Sequence, residues 1–87
     1  MKNTRIGVIG IVIDSPDITA DRVNSYLGQY SSMIVGRMGI PYNKRELSVI
    51  SLIVEGSTDE IGALTGKLGS LEGVTVKSAL TTKKYEE

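Results

Sequence analysis

Two stretches of this chain are apolar at both odd and even positions. The first runs from Arg5 to Ile13 (Arg-Ile-Gly-Val-Ile-Gly-Ile-Val-Ile). In the second, Glu46 to Glu55, Leu47, Val49 and Ile53 lie on one parity and Ile50, Leu52 and Val54 on the other. A strand with one face in water alternates apolar and polar residues. A strand apolar on both parities asks for cover on both faces. Both runs are too short for a typical helix and rich in β-branched residues, which suit a pleated sheet. The chain must therefore place two central strands together and find something to cover each side of them.

The segments between these runs read as helices and outer strands. Asp14-Ser15-Pro16-Asp17 is a strand-to-helix turn. Ser15 suits the helix N-cap and Pro16 its first position, and Asp17 sits at the positive end of the helix dipole. Ala20, Val23, Leu27 and Tyr30 recur at gaps of three, four and three, so the spacing predicts a helix over 16–30. Ser31 to Ile40 predicts a second strand, with Gly36 and Gly39 marking an edge or a bulge. Pro41 and Asn43 belong to the turn that follows. Ser57 with Glu60 three residues later is a capping box. Ile61, Leu64, Leu68 and Leu71 then form one face of a second helix, and Gly62, Gly66 and Gly69 form a stripe beside it. Glycine in a helix costs about 1 kcal/mol relative to alanine. Three along one side predict a close-packing seam, facing either the same subunit or another. Gly73 is placed as the helix stop, and Val74 to Leu80 as a half-exposed final strand. Residues 1–80 make one domain, and 81–87 a charged tail expected to fray.

The order is βαββαβ. The predicted fold is α+β: a ferredoxin-like sandwich, with two helices on one face of a four-stranded antiparallel sheet. Its usual strand order puts the first and third strands in the middle, and these are the two runs apolar on both parities. The face without helices would expose Ile and Val beyond what monomers normally tolerate. The expected cover is another copy of the chain: a homo-oligomer, dimer or tetramer, joined through the sheet.

Composition narrows the functional classes. Eighty-seven residues are near the lower end of what folds alone. There is no cysteine and no histidine, which removes thiolate chemistry, disulfides and the commonest metal ligand. Lys+Arg and Asp+Glu balance at ten each, against a direct nucleic-acid role driven by phosphate contacts. No apolar run reaches the roughly 18–20 residues of a membrane span, and the apolar first strand lacks a cleavage signal. The expectation is a cytoplasmic protein with no metal and no cofactor.

Gly62-x-x-x-Gly66-Lys67 has the look of a phosphate loop, but the spacing is one residue short and Leu68 stands where a hydroxyl belongs. The segment also lies inside a helix, where free loop amides are missing. Lys67 and Glu60 speak against a membrane helix pair. Asp14 and Asp17 suit acid/base work in principle and helix capping in practice. Lys44 and Arg45 read as a solvated hairpin tip. Arg37 interrupts an apolar strand, either as a solvent-facing charge on an edge or as a ligand or subunit contact. Tyr42, beside Pro41, has the same two readings. A small enzyme using Asp14, Arg37, Tyr42 or Lys44 at a subunit interface, and a purely structural partner, are the alternatives to a regulatory module.

Ile61-Gly62-Ala63-Leu64-Thr65-Gly66-Lys67-Leu68-Gly69, continued by Gly73-Val74-Thr75-Val76-Lys77, resembles a small family of proposed regulators of the iron-only hydrogenase system. Val23-Asn24 and Arg37-Met38-Gly39-Ile40-Pro41 support the resemblance, which covers Arg5 to Lys77. Such proteins resemble the ligand-sensing domain of nickel-responsive repressors and, more distantly, ACT domains. The resemblance implies a regulatory, non-enzymatic domain that oligomerises through its sheet. It does not bring nickel, because the histidines and cysteine that bind it are absent. It brings no DNA-binding segment either, so any effect on transcription runs through a protein partner. By analogy with ACT domains, a small ligand belongs near the first strand-to-helix turn at a subunit interface. Asp14, Ser15, Arg37 and Tyr42 are the candidate ligand-binding residues.

Overall fold

The computed structural model describes residues 3–86. Met1, Lys2 and Glu87, the last of them part of the expected tail, lie outside the described residues. The chain runs β1 (Asn3–Asp14), α1 (Pro16–Gln29), β2 (Ile34–Tyr42), β3 (Leu47–Gly56), α2 (Thr58–Gly69), β4 (Val74–Leu80) and β5 (Tyr85–Glu86). The sheet order is β2-β3-β1-β4, all antiparallel, so the two runs apolar on both parities are the central strands.

Strand register sorts the side chains. Ile9, Ile11 and Ile13 of β1 and Ile50, Leu52 and Val54 of β3 face the helices and are buried. They meet Val23 and Leu27 of α1 and Ile61, Leu64 and Leu68 of α2, the positions picked out by helical spacing. Each such side chain contributes about 1.5–3 kcal/mol when fully buried. The opposite face is open. Val8 pairs with Ile53, and Val12 with Val49, which also pairs with Ile40. Val8 is 48% exposed, Ile53 49%, Ile40 52% and Met38 64%.

Local chemistry sets the element ends. The Ser57 hydroxyl accepts from the Glu60 N–H at 3.1 Å, and the Ser57 N–H donates to the Glu60 carboxylate at 3.0 Å, which closes the capping box of α2. Gly73 ends that segment at φ 78, a backbone shape that excludes most side chains. Asp14 donates its N–H to the Gly73 carbonyl at 2.7 Å, tying the two strand-helix junctions together.

Five details differ from the sequence reading. Residues Ser31–Met33 form a 3-10 turn, so β2 starts at Ile34; its bulge lies between Ile34 and Gly36. β2 also continues through Pro41 to Tyr42, and the turn is confined to Asn43–Arg45. Ser15 occupies the N-cap of α1 but its side chain makes no capping bond, because its backbone is left-handed at φ 53. Part of the tail is paired. Tyr85 and Glu86 form β5, a fifth strand pairing with Thr4 and Asn3. The Thr81 N–H donates to the Ile6 carbonyl at 2.9 Å. Lastly, of the two surfaces expected at the seam of α2, the same subunit supplies none: nothing in the described residues approaches it. A Cβ placed on Gly62, Gly66 or Gly69 meets nothing within 4 Å. The face carrying Ile61, Leu64 and Leu68 takes the core, and the glycines turn away from it.

Candidate functional site

An open cleft of about 900 Å³ lies where β1 passes into α1 and faces the β2–β3 turn. One wall is Asp14, Ser15, Pro16, Asp17, Ile18 and Ala20. The other is built from Pro41, Asn43, Arg45, Glu46, Leu47 and Ser48. The first wall exists because Pro16 starts α1 immediately after the strand. The second exists because the 3-10 turn Asn43–Arg45 folds the hairpin tip back, with the Glu46 N–H donating to the Asn43 carbonyl at 3.3 Å.

Two backbone features mark this cleft. Ser15 at φ 53 and Glu46 at φ 57 are the positive-φ non-glycine residues of the described chain, and both line it. Such residues are held off their preferred conformation only when the surroundings fix them, and they concentrate at ligand clamps and switch regions. The positive end of α1 also opens here. Pro16 carries no N–H, the Ile18 N–H donates to the Ser15 carbonyl at 3.0 Å, and no side chain caps the terminus. Three carboxylates (Asp14, Asp17 and Glu46) and one guanidinium (Arg45) line the walls. The arrangement offers donors and acceptors of both signs, suited to a polar ligand with groups of both charges.

The structure brings Asp14 and Ser15 into this cleft. Arg37 lies elsewhere on β2, its Nη2 donating to Asn24 Oδ1 of α1 at 3.1 Å. Tyr42 is 45% exposed and separates two lining residues, Pro41 and Asn43, without lining the cleft itself. Sequence reasoning missed Asn43, Glu46, Leu47 and Ser48, and read Arg45 as a solvated tip. Their only signal was the hairpin connection itself, which the fold swings next to the β1–α1 turn. Among the described residues no group of three or more Asp or Glu side chains is placed to hold a metal ion. No helix of the described residues is long and apolar enough to cross a membrane.

The comparisons agree with this architecture. The sequence profile of the TM1266-like family, described as a proposed iron-only hydrogenase system regulator, matches residues 5–78. The structure of uncharacterised protein TM1266 from Thermotoga maritima is 34% identical, with a TM-score of 0.86 over 88% of this chain and 96% of that one. The ACT domain from GTP pyrophosphokinase of Chlorobium tepidum shares the fold at 15% identity and a TM-score of 0.68, covering 92% of this chain and 89% of that domain. A formyltetrahydrofolate deformylase from Pseudomonas putida KT2440 carries the same fold in part of its length. There the identity is 13% and the TM-score 0.61, over 85% of this chain and 28% of that one. No curated protein is significantly similar to the chain. A profile match across nearly the whole sequence, with the βαββαβ sheet order and the capped, glycine-striped α2 in place, establishes that the chain belongs to the TM1266-like family.

Proposed function

We propose that the protein is a non-enzymatic regulatory module that binds a small polar ligand in the cleft between the β1–α1 turn and the β2–β3 tip. The observation carrying this reading is the pair Ser15 and Glu46, both left-handed and both lining that cleft. The cleft also lies at the first strand-to-helix turn, where resemblance to ACT domains puts a ligand. Family membership supports the iron-only hydrogenase system as the regulated process. The equal numbers of acidic and basic residues favour action through a protein partner over direct contact with DNA.

Assembly is the second half of the proposal. The open sheet face carries Val8, Met38, Ile40, Val49 and Ile53, and a second copy of the chain is the occupant we assign to it. A contiguous apolar patch of this kind on a small domain marks an interaction surface.

Native mass spectrometry on protein purified gently and without oxygen from its source tests both halves. The expected result is a dimer or tetramer carrying an added small mass. Asp17→Arg, which crowds the cleft with an extra cation, should lose that mass while keeping the subunit count. A bare monomer at micromolar concentration sinks the assembly half. An oligomer without any added mass in several preparations sinks the ligand half.

A further inference from the structure

The other end of β1 carries a second, smaller cleft that the regulatory reading does not use. It encloses about 160 Å³ and is lined by Asn3, Arg5, Ser57, Thr58 and Lys84. Arg5 and Asp14 are nine residues apart on one strand, so this cleft lies roughly 30 Å from the first at about 3.3 Å per residue.

Its composition is one-sided. Two cations and two hydroxyls converge, and no carboxylate lines the space. Among the described residues neither Arg5 nor Lys84 has an acidic partner. The neighbouring Lys83 is engaged elsewhere, its ammonium 5.2 Å from the Tyr85 ring centre. Arg5 is half-buried, and its Nη1 donates to the Thr81 carbonyl at 3.0 Å. Its Nε is buried without an acceptor. A half-buried guanidinium gains from a carboxylate or phosphate partner, because charge-assisted hydrogen bonds replace the water it has lost. The helix terminus is not the source of the site: the capping box already occupies the Ser57 and Glu60 N–H groups.

We propose that this cleft binds a small phosphate-type oxyanion, held by Arg5 and Lys84 with the Ser57 and Thr58 hydroxyls. Arginine supplies a planar fork matched to two oxygens of such an ion, and lysine a point charge. The small volume admits one phosphate group and excludes a nucleoside. The ion is therefore free phosphate or the exposed end of a larger phosphate ester. This site is independent of the ligand proposed for the larger cleft. It ties the returning tail to the start of β1 and the first turn of α2, so occupancy would strengthen the β5 closure.

The test is NMR titration of the full chain with inorganic phosphate and, separately, with glycerol 2-phosphate, against chloride at matched ionic strength. The expected result is saturable shifts at the Ser57 and Thr58 amides and the Arg5 side-chain N–H, with Asn43 and Arg45 unmoved. Lys84→Gln, a change on an exposed side chain, should weaken binding roughly threefold or more, as one charge-assisted bond is lost. Arg5→Gln should weaken it further. Tighter binding of the free ion identifies phosphate itself as the ligand, and tighter binding of the ester identifies a phosphorylated metabolite; each supports the site. Shifts that do not saturate, that chloride reproduces, or that Lys84→Gln leaves unchanged overturn it.

Discussion

Ser15 and Glu46 stand on opposite walls of one cleft with the same left-handed backbone, φ 53 and φ 57. Neither is glycine, so each holds a conformation that costs an L-residue about 1–2 kcal/mol. Ser15→Gly and Glu46→Gly should each raise stability, by roughly 0.5–1 kcal/mol once the larger entropy of unfolded glycine is subtracted. Urea unfolding measures it. If the cleft is a ligand site, the same glycine variants loosen its walls and weaken ligand binding. A glycine variant no more stable than the parent means that the left-handed backbone costs nothing here.

Glycines in this chain carry opposite meanings, and a paired substitution separates them. A Cβ on Gly7 would lie 2.9 Å from the Ala79 carbonyl oxygen and would run into the Leu80 side chain. Backbone cannot retreat cheaply, so Gly7→Ala should destabilise by about 1–3 kcal/mol. Gly66 has open space around it, so Gly66→Ala should stabilise by roughly 0.5–1 kcal/mol through helix propensity alone. Thermal unfolding of both variants checks the contrast. A Gly66→Ala variant that loses stability together with its subunit partners would place a neighbouring subunit against the α2 seam.

That contrast also shows where the sequence was legible. The apolar parities of 5–13 and 46–55 located the central strands, and the Ser57–Glu60 spacing located a capping box that forms as expected. These signals are local or periodic, so they survive without knowledge of the partner. The glycine stripe was read as a point of close approach because its cost asks for a compensation. The stripe records that cost without saying which surface supplies the compensation. Only half of the cleft was legible for a related reason. Asp14 and Ser15 announce a turn, whereas Asn43 and Glu46 become neighbours of that turn only through the β1–β3 register, which pairs Asp14 with Leu47. The pairing of Tyr85 and Glu86 was not legible because a short charged segment looks solvated until Thr4 and Asn3 are seen to pair with it.

Thr4 is 0% exposed, and its hydroxyl donates to the Glu55 carboxylate at 2.7 Å. A hydrogen bond to a charged group in such a place is worth about 1.5–3 kcal/mol. Thr4→Val keeps the shape and removes the donor, leaving a half-buried carboxylate short of a partner. It should cost stability in that range, while Glu55→Gln, which keeps an acceptor, should cost less. Denaturant unfolding of the two variants and the double variant gives the coupling. Additive effects would show that the bond contributes nothing beyond its parts.

The open sheet face gives the assembly its most direct test. Ile53 is paired with Val8 across the centre of the sheet, and both are about half exposed in a single chain. A lysine at 53 can reach water there, so Ile53→Lys should leave the isolated subunit folded, with a cost below about 1 kcal/mol. In an oligomer closed through this face the same lysine is buried against apolar side chains without a partner, at a cost of several kcal/mol per ion. The two environments predict different observables. Light scattering should show the parent as a dimer or tetramer and Ile53→Lys as a single chain, with unchanged far-UV circular dichroism. Lys77→Glu serves as the control: its Cα partner across the sheet is Gly10, on the β4 side of the patch, so it reverses a charge without placing one at the apolar centre. An Ile53→Lys protein that keeps the parent's subunit count would remove the open face as the assembly surface. The outer edges of β2 and β4 would then be the place to look.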